Sequence, residues 1–467
     1  MGQQRDSGSD LATLSLTEAS RLVRSKEISP VELTEACLRR IEQRNPELNA
    51  FIAVTSDIAL DQARAAEAHI QRGLWLGPLH GIPIALKDLV DTADVRTTAA
   101  SNLYRNRMPM VDAEVVRRLK SGGAVFLGKL NLHEFAYGAS SVVSAFGPVR
   151  NPHAPEYSAG GSSSGSGAAV ASSFCFGAVG TCTGGSIRQP AAFCGIVGLK
   201  PTYGLVSTQG VVPLSPSLDH VGPMARTVQD ATLLLQGMAP EGSPDYSAAG
   251  ETASLRIGVP RSYFYEALHP EVEAAVEAAL LVLKGISGTQ RAADFENGLD
   301  AINNLSNLLT KTEAYAYHRE FVTTTPELYQ PETLKRLLSG ATVGLAVHSA
   351  ALQELREIRR SSLRVFETVD VLVTPTVPVP PFKITDLQGD PVTLRNKEQL
   401  TLRNTRPFNV LGWPTISLPC GWTNAGLPIG LQMSGAPGED AKVLALAAVL
   451  EKKLVATTKP TLKSRQA

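Results

Sequence analysis

A serine- and glycine-rich stretch, residues 160–195, holds the side chains best suited to covalent chemistry. It reads GGSSSGSGAAVASSFCFGAVGTCTGGSIRQPAAFCG and contains no histidine, aspartate, glutamate or lysine. A serine hydroxyl is a weak nucleophile and needs a neighbouring base to take its proton. If one of these serines attacks a substrate, its base must therefore come from another part of the chain.

A second glycine cluster, GTCTGGS, ends in Ser186. Gly184 and Gly185 directly precede this serine and allow the backbone to approach a ligand closely. Successive N–H groups in such a segment can converge on one oxygen and form an oxyanion hole. The same residues can also form a plain glycine turn, and the sequence leaves both interpretations open.

Lys87 ends the apolar segment IPIALK and is a candidate for the missing base. A lysine at the end of a strand commonly extends its amine to solvent. If Lys87 is buried instead, loss of solvation disfavours the ammonium form and leaves a neutral amine that can accept a proton.

Other catalytic and cofactor motifs are incomplete. Residues 161–165, GSSSG, fit the GxSxG nucleophile elbow with Ser163 as nucleophile, which requires an acid and a histidine downstream. A dinucleotide loop lacks its third glycine because position 170 is valine, and no P-loop pattern is present. His133 begins an HExxH pattern that Tyr137 breaks. We therefore expect no metal and no cofactor.

Several segments together resemble the amidase signature family. They are GIPIALKD, GGSSSGSGAAVA, TGGSIRQPAAFCGIVGLKPTYG, SPSLDHVGPMARTVQD, and FNVLGWPTISLPCGW followed by GLPIGLQMSG. The resemblance covers about residues 12–455. It implies an α/β fold with α/β/α layers, in which helices flank a central mixed, mostly parallel, twisted β-sheet. It also implies a hydrolase acting on carbon–nitrogen bonds other than peptide bonds.

The resemblance implies a Ser–cisSer–Lys triad. Ser186 corresponds to the nucleophile, Ser162 to a bridging serine that follows a cis peptide bond, and Lys87 to the base. A hydroxyl donates and accepts at once, so Ser162 suits a proton relay from Ser186 to Lys87. The implied reaction passes through an acyl-enzyme without metal or organic cofactor. The family's oxyanion hole maps to the backbone N–H groups of Thr183, Gly184, Gly185 and Ser186.

Three further residues have supporting roles in this interpretation. We expect Ser163 to support the serine loop, Arg188 to brace it as a buried cation, and a loop with Tyr137 to line the substrate pocket. The family usually has an acidic residue where this chain has Cys182. Arg188 therefore lacks one possible partner.

The pattern of elements predicts two parts. Residues 1–70 form a helical lead-in packed on the core, where Ser29, Pro30 and Glu32 give a helix start with a capping box. Residues 71–467 form the amidase signature domain, in which strand and helix patterns alternate. Within it, residues 285–350 are predicted to form a variable, mainly helical substrate-pocket region.

The composition of the chain indicates which binding partners and which cellular compartment to expect. The 44 basic residues balance the 44 acidic ones, and no long basic block appears, so we expect no nucleic-acid partner. No apolar run reaches membrane-spanning length and no signal peptide is visible, so we expect no membrane association. The five cysteines form no CxxC pair, which indicates reduced thiols and a cytoplasmic location. The family resemblance makes a homodimer possible.

Our main expectation is a stand-alone amidase whose partner is a small-molecule amide: a carboxamide, an anilide, a carbamate or, as a side activity, an ester. The alternative is the glutaminase A subunit of a tRNA-dependent amidotransferase. Those subunits tend to have aspartate at the position of His133, and their adjacent tyrosines are not evident around residues 343–348. Two further interpretations are a weakly catalytic binding protein, suggested by Cys182, and an α/β-hydrolase esterase that needs a histidine.

Overall fold

The computed structural model describes residues 10–247, 250–293, 295 and 298–458. The strands are β1 (Phe51–Val54), β2 (Pro83–Lys87), β3 (Val125–Leu130), β4 (Arg150–Asn151), β5 (Ala154–Ser158), β6 (Gly177–Cys182), β7 (Val197–Lys200), β8 (His220–Ala225), β9 (Ile257–Val259), β10 (Gln290–Ala292), β11 (Val371–Pro375), β12 (Thr415–Trp422) and β13 (Pro428–Gly435).

The helices flank this strand framework. They are α1 (Leu16–Arg24), α2 (Pro30–Leu48), α3 (Ser56–Gln71), α4 (Glu114–Ser121), α5 (Ser164–Ala171), α6 (Arg188–Cys194), α7 (Val228–Met238), α8 (Pro270–Ser287), α9 (Leu299–His318), α10 (Phe321–Thr324), α11 (Pro331–Leu338), α12 (Leu345–Ser361), α13 (Pro391–Leu402), α14 (Arg406–Leu411) and α15 (Asp440–Thr458). In the described residues, no helix is long and apolar enough to cross a membrane.

Eleven strands of the described chain form one sheet in the order β1-β3-β2-β6-β8-β7-β12-β13-β11-β9-β10. Parallel pairing occurs in two blocks, β2 with β3 and β6, and β9 with β10 and β11. Antiparallel pairing joins the other neighbours. The predicted mixed sheet between helical layers is confirmed, and its parallel part is divided between these two blocks.

The N-terminal part begins as the sequence predicts. Ser29 and Glu32 form the capping box of α2, with Pro30 at its first position. The part up to residue 70 also contains β1, which pairs antiparallel with β3 at the edge of the sheet. These residues therefore contribute a strand as well as helices. Four residues give too short a pattern for sequence analysis to distinguish β1 from a loop.

Two adjacent parallel strands bring the candidate catalytic segments together. β2 ends at Lys87 and β6 ends at Cys182, and the two strands pair directly. Neighbouring parallel strands have their carboxyl ends at the same edge of the sheet, so the loops that follow them meet there. The serine loop, which contains Ser162 and Ser163, directly precedes α5. The GGS segment, residues 184–186, lies between β6 and α6.

Close packing in this region requires glycine at Gly165, in the first turn of α5. A Cβ built on Gly165 would lie 2.6 Å from the backbone nitrogen of Asn131. The helix therefore approaches the segment after β3 more closely than any side chain permits. This contact sets the position of the serine loop directly before α5.

Residues 299–361 form α9 to α12. A hydrophobic cluster joins this helical region to the rest of the domain. It contains Leu305 and Leu309 of α9, Leu355 of α12, Phe408 of α14 and Trp413. Burial of these side chains holds α9 against α12 and α14.

Candidate active site

Lys87 is fully buried at the end of β2. Its Nζ lies 2.8 Å from Ser162 Oγ and 2.7 Å from Thr181 Oγ1. Burial lowers the pKa of Lys87 to about 7, although the nearby Cys182 and Asp219 favour the charged form. A large fraction of Lys87 is therefore neutral near pH 7, with a lone pair beside Ser162.

Ser162 follows a cis peptide bond from Gly161, as the resemblance implies. Its side chain is fully buried, and its carbonyl accepts a hydrogen bond of 3.2 Å from the backbone N–H of His133. The structure thus places the hydroxyl of Ser162 directly against the amine of Lys87.

Ser186 is 5% exposed and lies on the wall of a cavity. Its carbonyl accepts a 3.2 Å hydrogen bond from the N–H of Ser163, which ties the GGS segment to the serine loop. The hydroxyl of Ser163 donates to the carbonyl of Thr181 at 3.1 Å and accepts from the N–H of Thr181 at 3.3 Å. These contacts are those of a loop-supporting residue.

The GxSxG interpretation requires a histidine next to Ser163. Among the described residues, no histidine ring makes a hydrogen bond to Ser162, Ser163 or Ser186. The arrangement is therefore not that of an α/β-hydrolase elbow.

Two side chains that sequence reasoning missed hold the GGS segment. Thr183 Oγ1 donates to Asp219 at 2.6 Å, and Thr405 Oγ1 donates to the carbonyl of Gly184 at 2.8 Å. Gly185 has φ of +148°, a conformation that favours glycine. Asp219 lies in the segment SPSLDH, which carried the family resemblance, but no local pattern indicates its contact with Thr183.

Arg188 is fully buried and does not line the cavity. Its guanidinium donates to Gln432 Oε1 at 3.0 Å, to the carbonyl of Thr405 at 2.9 Å, and to Asn409 Oδ1. The Sγ of Cys182 lies 3.8 Å from Arg188 Nη2. Amide and carbonyl oxygens thus surround the cation at the site where the family usually supplies a carboxylate.

A cavity of about 410 Å³ opens beside Ser186, Thr183 and Gly184. Tyr137 lines it, and side chains of α9, α11 and α13 form other walls. Among the described residues that line it, a single one, Glu332, is acidic. The basic residues of the lining are Lys311, Lys335, Arg336, Arg395 and Arg406. The surplus of positive charge favours an anionic ligand.

The amidase family model matches residues 32–444. The chain belongs to the amidase family. A solved structure described as an amidase is 34% identical, with a TM-score of 0.86 over 94% of this chain and 100% of that one. Both findings show an enzyme family that acts on carbon–nitrogen bonds.

Curated relatives point to one branch of the family. The A subunit of the Glutamyl-tRNA(Gln) amidotransferase of Moorella thermoacetica is 40% identical to this amidase, over 95% of this chain and 97% of that protein. The solved structure of the subunit of the same name from Thermotoga maritima is 32% identical, with a TM-score of 0.79 and 95% of both chains covered.

These relatives correct two expectations. The main expectation of a stand-alone hydrolase of small amides is wrong, because similarity along almost the whole chain favours the alternative. That expectation depended on His133 and a missing tyrosine pair, which are local differences. The expectation of a small-molecule partner without nucleic acid is also wrong, since the relatives are named for a tRNA. The balance of 44 basic and 44 acidic residues over the whole chain does not exclude a nucleic-acid partner.

Proposed function

We propose that this amidase is the glutamine-hydrolysing A subunit of a tRNA-dependent amidotransferase. The observation that carries the proposal is 40% identity over 95% of the chain to the Moorella thermoacetica protein of that name. In this role the enzyme releases ammonia from the side-chain amide of glutamine. Partner subunits then use a nucleoside triphosphate to phosphorylate the side-chain carboxylate of a glutamyl group on tRNA, and ammonia displaces the phosphate to form the amide.

We assign the chemistry to Ser186, Ser162 and Lys87. Neutral Lys87 takes the proton of Ser162 as Ser162 takes that of Ser186, and Ser186 Oγ bonds to the amide carbon. The charged Lys87 returns its proton through Ser162 to the leaving nitrogen, and ammonia departs as the C–N bond breaks. Water then attacks the acyl-enzyme by the same relay, which releases glutamate and restores Ser186. The 2.8 Å contact between Lys87 and Ser162 supports this assignment.

The developing negative charge on the carbonyl oxygen needs fixed donors. We assign this role to the backbone N–H groups of Thr183, Gly184, Gly185 and Ser186. The bonds from Thr183 to Asp219 and from Thr405 to Gly184 hold this segment before the substrate arrives. Donors that need no rearrangement contribute most to such stabilisation.

The cavity supports glutamine as the amide donor. A volume of about 410 Å³ lies within the range of small-molecule sites, and its basic lining suits a substrate with a carboxylate. We also propose a cytoplasmic location, because all five cysteines of the chain are unpaired, as thiols are in a reducing compartment.

Isolation of the affinity-tagged chain from its native cells tests the proposal. The co-purifying subunits are identified by mass spectrometry, and the complex is assayed with glutamine, glutamyl-tRNA, and ATP with Mg²⁺ to activate the glutamyl carboxylate. We expect release of glutamate and formation of glutaminyl-tRNA, both lost in Ser186→Ala. A chain that purifies alone and hydrolyses neutral aryl amides faster than glutamine would contradict the proposal.

A further inference from the structure

Arg406 stands apart from the other charged residues of the cavity. It is the first residue of α14 and is only 7% exposed, yet it lies on the cavity wall. A Cβ built on Gly184 would lie 4.0 Å from Arg406 Nε, so the guanidinium adjoins the segment that contains Ser186. A buried cation directly beside the reacting groups needs a physical explanation.

The guanidinium of Arg406 lacks a counter-ion. Its hydrogen bond goes to the amide oxygen of Gln399, and in the described residues no carboxylate lies within 4.0 Å of it. Burial lowers the pKa of Arg406 to about 10, so the group remains charged at neutral pH. A guanidinium has five N–H donors, and burial with so few partners is costly unless a ligand supplies acceptors.

The neighbouring arginines are already paired. Arg336 forms a 2.7 Å ion pair with Glu398 and donates to the carbonyl of Tyr137. Arg395 lies 3.9 Å from the same carboxylate. Their charge is therefore partly neutralised within the protein, whereas the charge of Arg406 is available to a ligand.

The geometry points to Arg406 as the anchor for a carboxylate carried by the acyl part of the substrate. The inference rests on the proposed amide hydrolysis at Ser186 and names the substrate class: ω-amides of dicarboxylic acids, of which glutamine is one. A guanidinium binds a carboxylate through two parallel N–H···O bonds, which fixes orientation as well as affinity. The anchored carboxylate would hold the amide carbonyl against the GGS segment.

A matched pair of amides isolates this role. Glutaramate, the monoamide of glutaric acid, carries the carboxylate, and glutaramide replaces it with a second neutral amide. The ratio of their kcat/KM values for ammonia release is measured in the native enzyme, in Arg406→Met and in Arg406→Lys. Arg403→Met is the control, since it removes an equal charge three residues away at a position that does not line the cavity.

We expect the native enzyme and Arg403→Met to prefer glutaramate. Arg406→Met should lower kcat/KM for glutaramate by about 10- to 100-fold, mainly through KM, because a hydrogen bond to a charged group is lost. Hydrolysis of glutaramide should change much less, and Arg406→Lys should restore part of the preference. An unchanged ratio in Arg406→Met would overturn the inference.

A second measurement does not depend on turnover. Phenylmethanesulfonyl fluoride sulfonylates accessible catalytic serines, with an O–S bond formed and fluoride released. Intact-mass spectrometry follows this reaction at Ser186 in the presence of glutarate. Glutarate should slow labelling in the native enzyme and in Arg403→Met, but not in Arg406→Met. The labelling rate without glutarate shows whether Arg406→Met is folded. If glutarate protects Ser186 only when Arg406 is present, but the enzyme does not hydrolyse glutamine, Arg406 still binds a carboxylate and the proposed function is wrong. If glutarate protects Ser186 equally in all variants, Arg406 does not bind the carboxylate.

Discussion

Lys87 Nζ lies 2.8 Å from Ser162 Oγ in the interior of the protein, and the lysine has no exposed surface. This contact brings a candidate base to the serine-rich stretch, which contains no base of its own. In the proposed mechanism the base comes from β2, because β2 and β6 are parallel neighbours whose ends meet. Burial lowers the pKa of Lys87 and so favours the neutral amine that the proposed proton transfer requires.

Residues that act as one relay should show non-additive losses. We expect Lys87→Ala and Ser186→Ala each to abolish glutamine hydrolysis, with kcat/KM reduced by at least about 10⁴-fold. Ser162→Ala should leave a small residual activity. The double variant Lys87→Ala/Ser162→Ala should be hardly worse than Lys87→Ala alone. Independent, multiplying losses measured in the double variant would contradict a shared relay.

The GGS segment should tolerate a methyl group at one glycine but not at the next. A Cβ on Gly185 would lie 2.0 Å from Thr405 Oγ1, and its φ is +148°, whereas a Cβ on Gly184 meets nothing closer than 3.9 Å. We expect Gly185→Ala to lower the free energy of unfolding by about 2 kcal/mol or more. Thermal unfolding of both variants tests this. Equal melting temperatures for Gly184→Ala and Gly185→Ala would count against the described backbone.

Asp219 should affect the pH profile as well as the geometry. Its charge favours the ammonium form of Lys87, and it accepts the hydrogen bond of Thr183. Asp219→Asn should therefore lower the pKa of Lys87 further and move the acid limb of the kcat/KM profile to lower pH. We also expect kcat to fall by about 10-fold, because Thr183 is less firmly held. If the acid limb of the kcat/KM profile of Asp219→Asn moved to higher pH, Asp219 would not favour the ammonium form of Lys87.

Cys182 Sγ lies 3.8 Å from Arg188 Nη2, at the position where the family resemblance implies an acid. Cys182→Asp should remain folded, within about 1 kcal/mol of native stability, because the new carboxylate gains a buried cationic partner. Cys194→Asp is the matched control, since Cys194 is also buried but its Sγ contacts the carbonyl of Ala159. We expect it to lose about 3 kcal/mol or more. Denaturant unfolding of both variants measures the difference, and equal losses would contradict a charged Arg188.

Much of the sheet could be predicted from apolar runs. The segments that become β2, β3 and β11 to β13 have the strand pattern and are found as strands. β6, with the sequence GAVGTC, lies in the glycine-rich stretch and has only two residues typical of strands, Val179 and Thr181, beside two glycines. Its position depends on its neighbours β2 and β8, which no local pattern reveals.

Some residues of the candidate site could likewise be predicted from the sequence, and others could not. Lys87, Ser162 and Ser186 could be named from family motifs, because those motifs are local segments of the chain. Asp219 and Thr405 could not, because their contacts with the GGS segment join distant parts of the chain. The basic lining of the cavity likewise comes from several helices that only the fold assembles.

The pH dependence of Ser186 sulfonylation tests the central claim most directly. The rate of labelling by phenylmethanesulfonyl fluoride, a neutral reagent, is measured by intact mass in the native enzyme and in Lys87→Met. The measurements run between about pH 5 and 10, a range that spans the titration of a buried lysine. Since only the neutral amine accepts a proton, we predict a rate that rises with pH through a single titration near pH 7 and a much slower rate in Lys87→Met. A native profile that is flat through pH 7, or that is retained by Lys87→Met, would contradict Lys87 as the base.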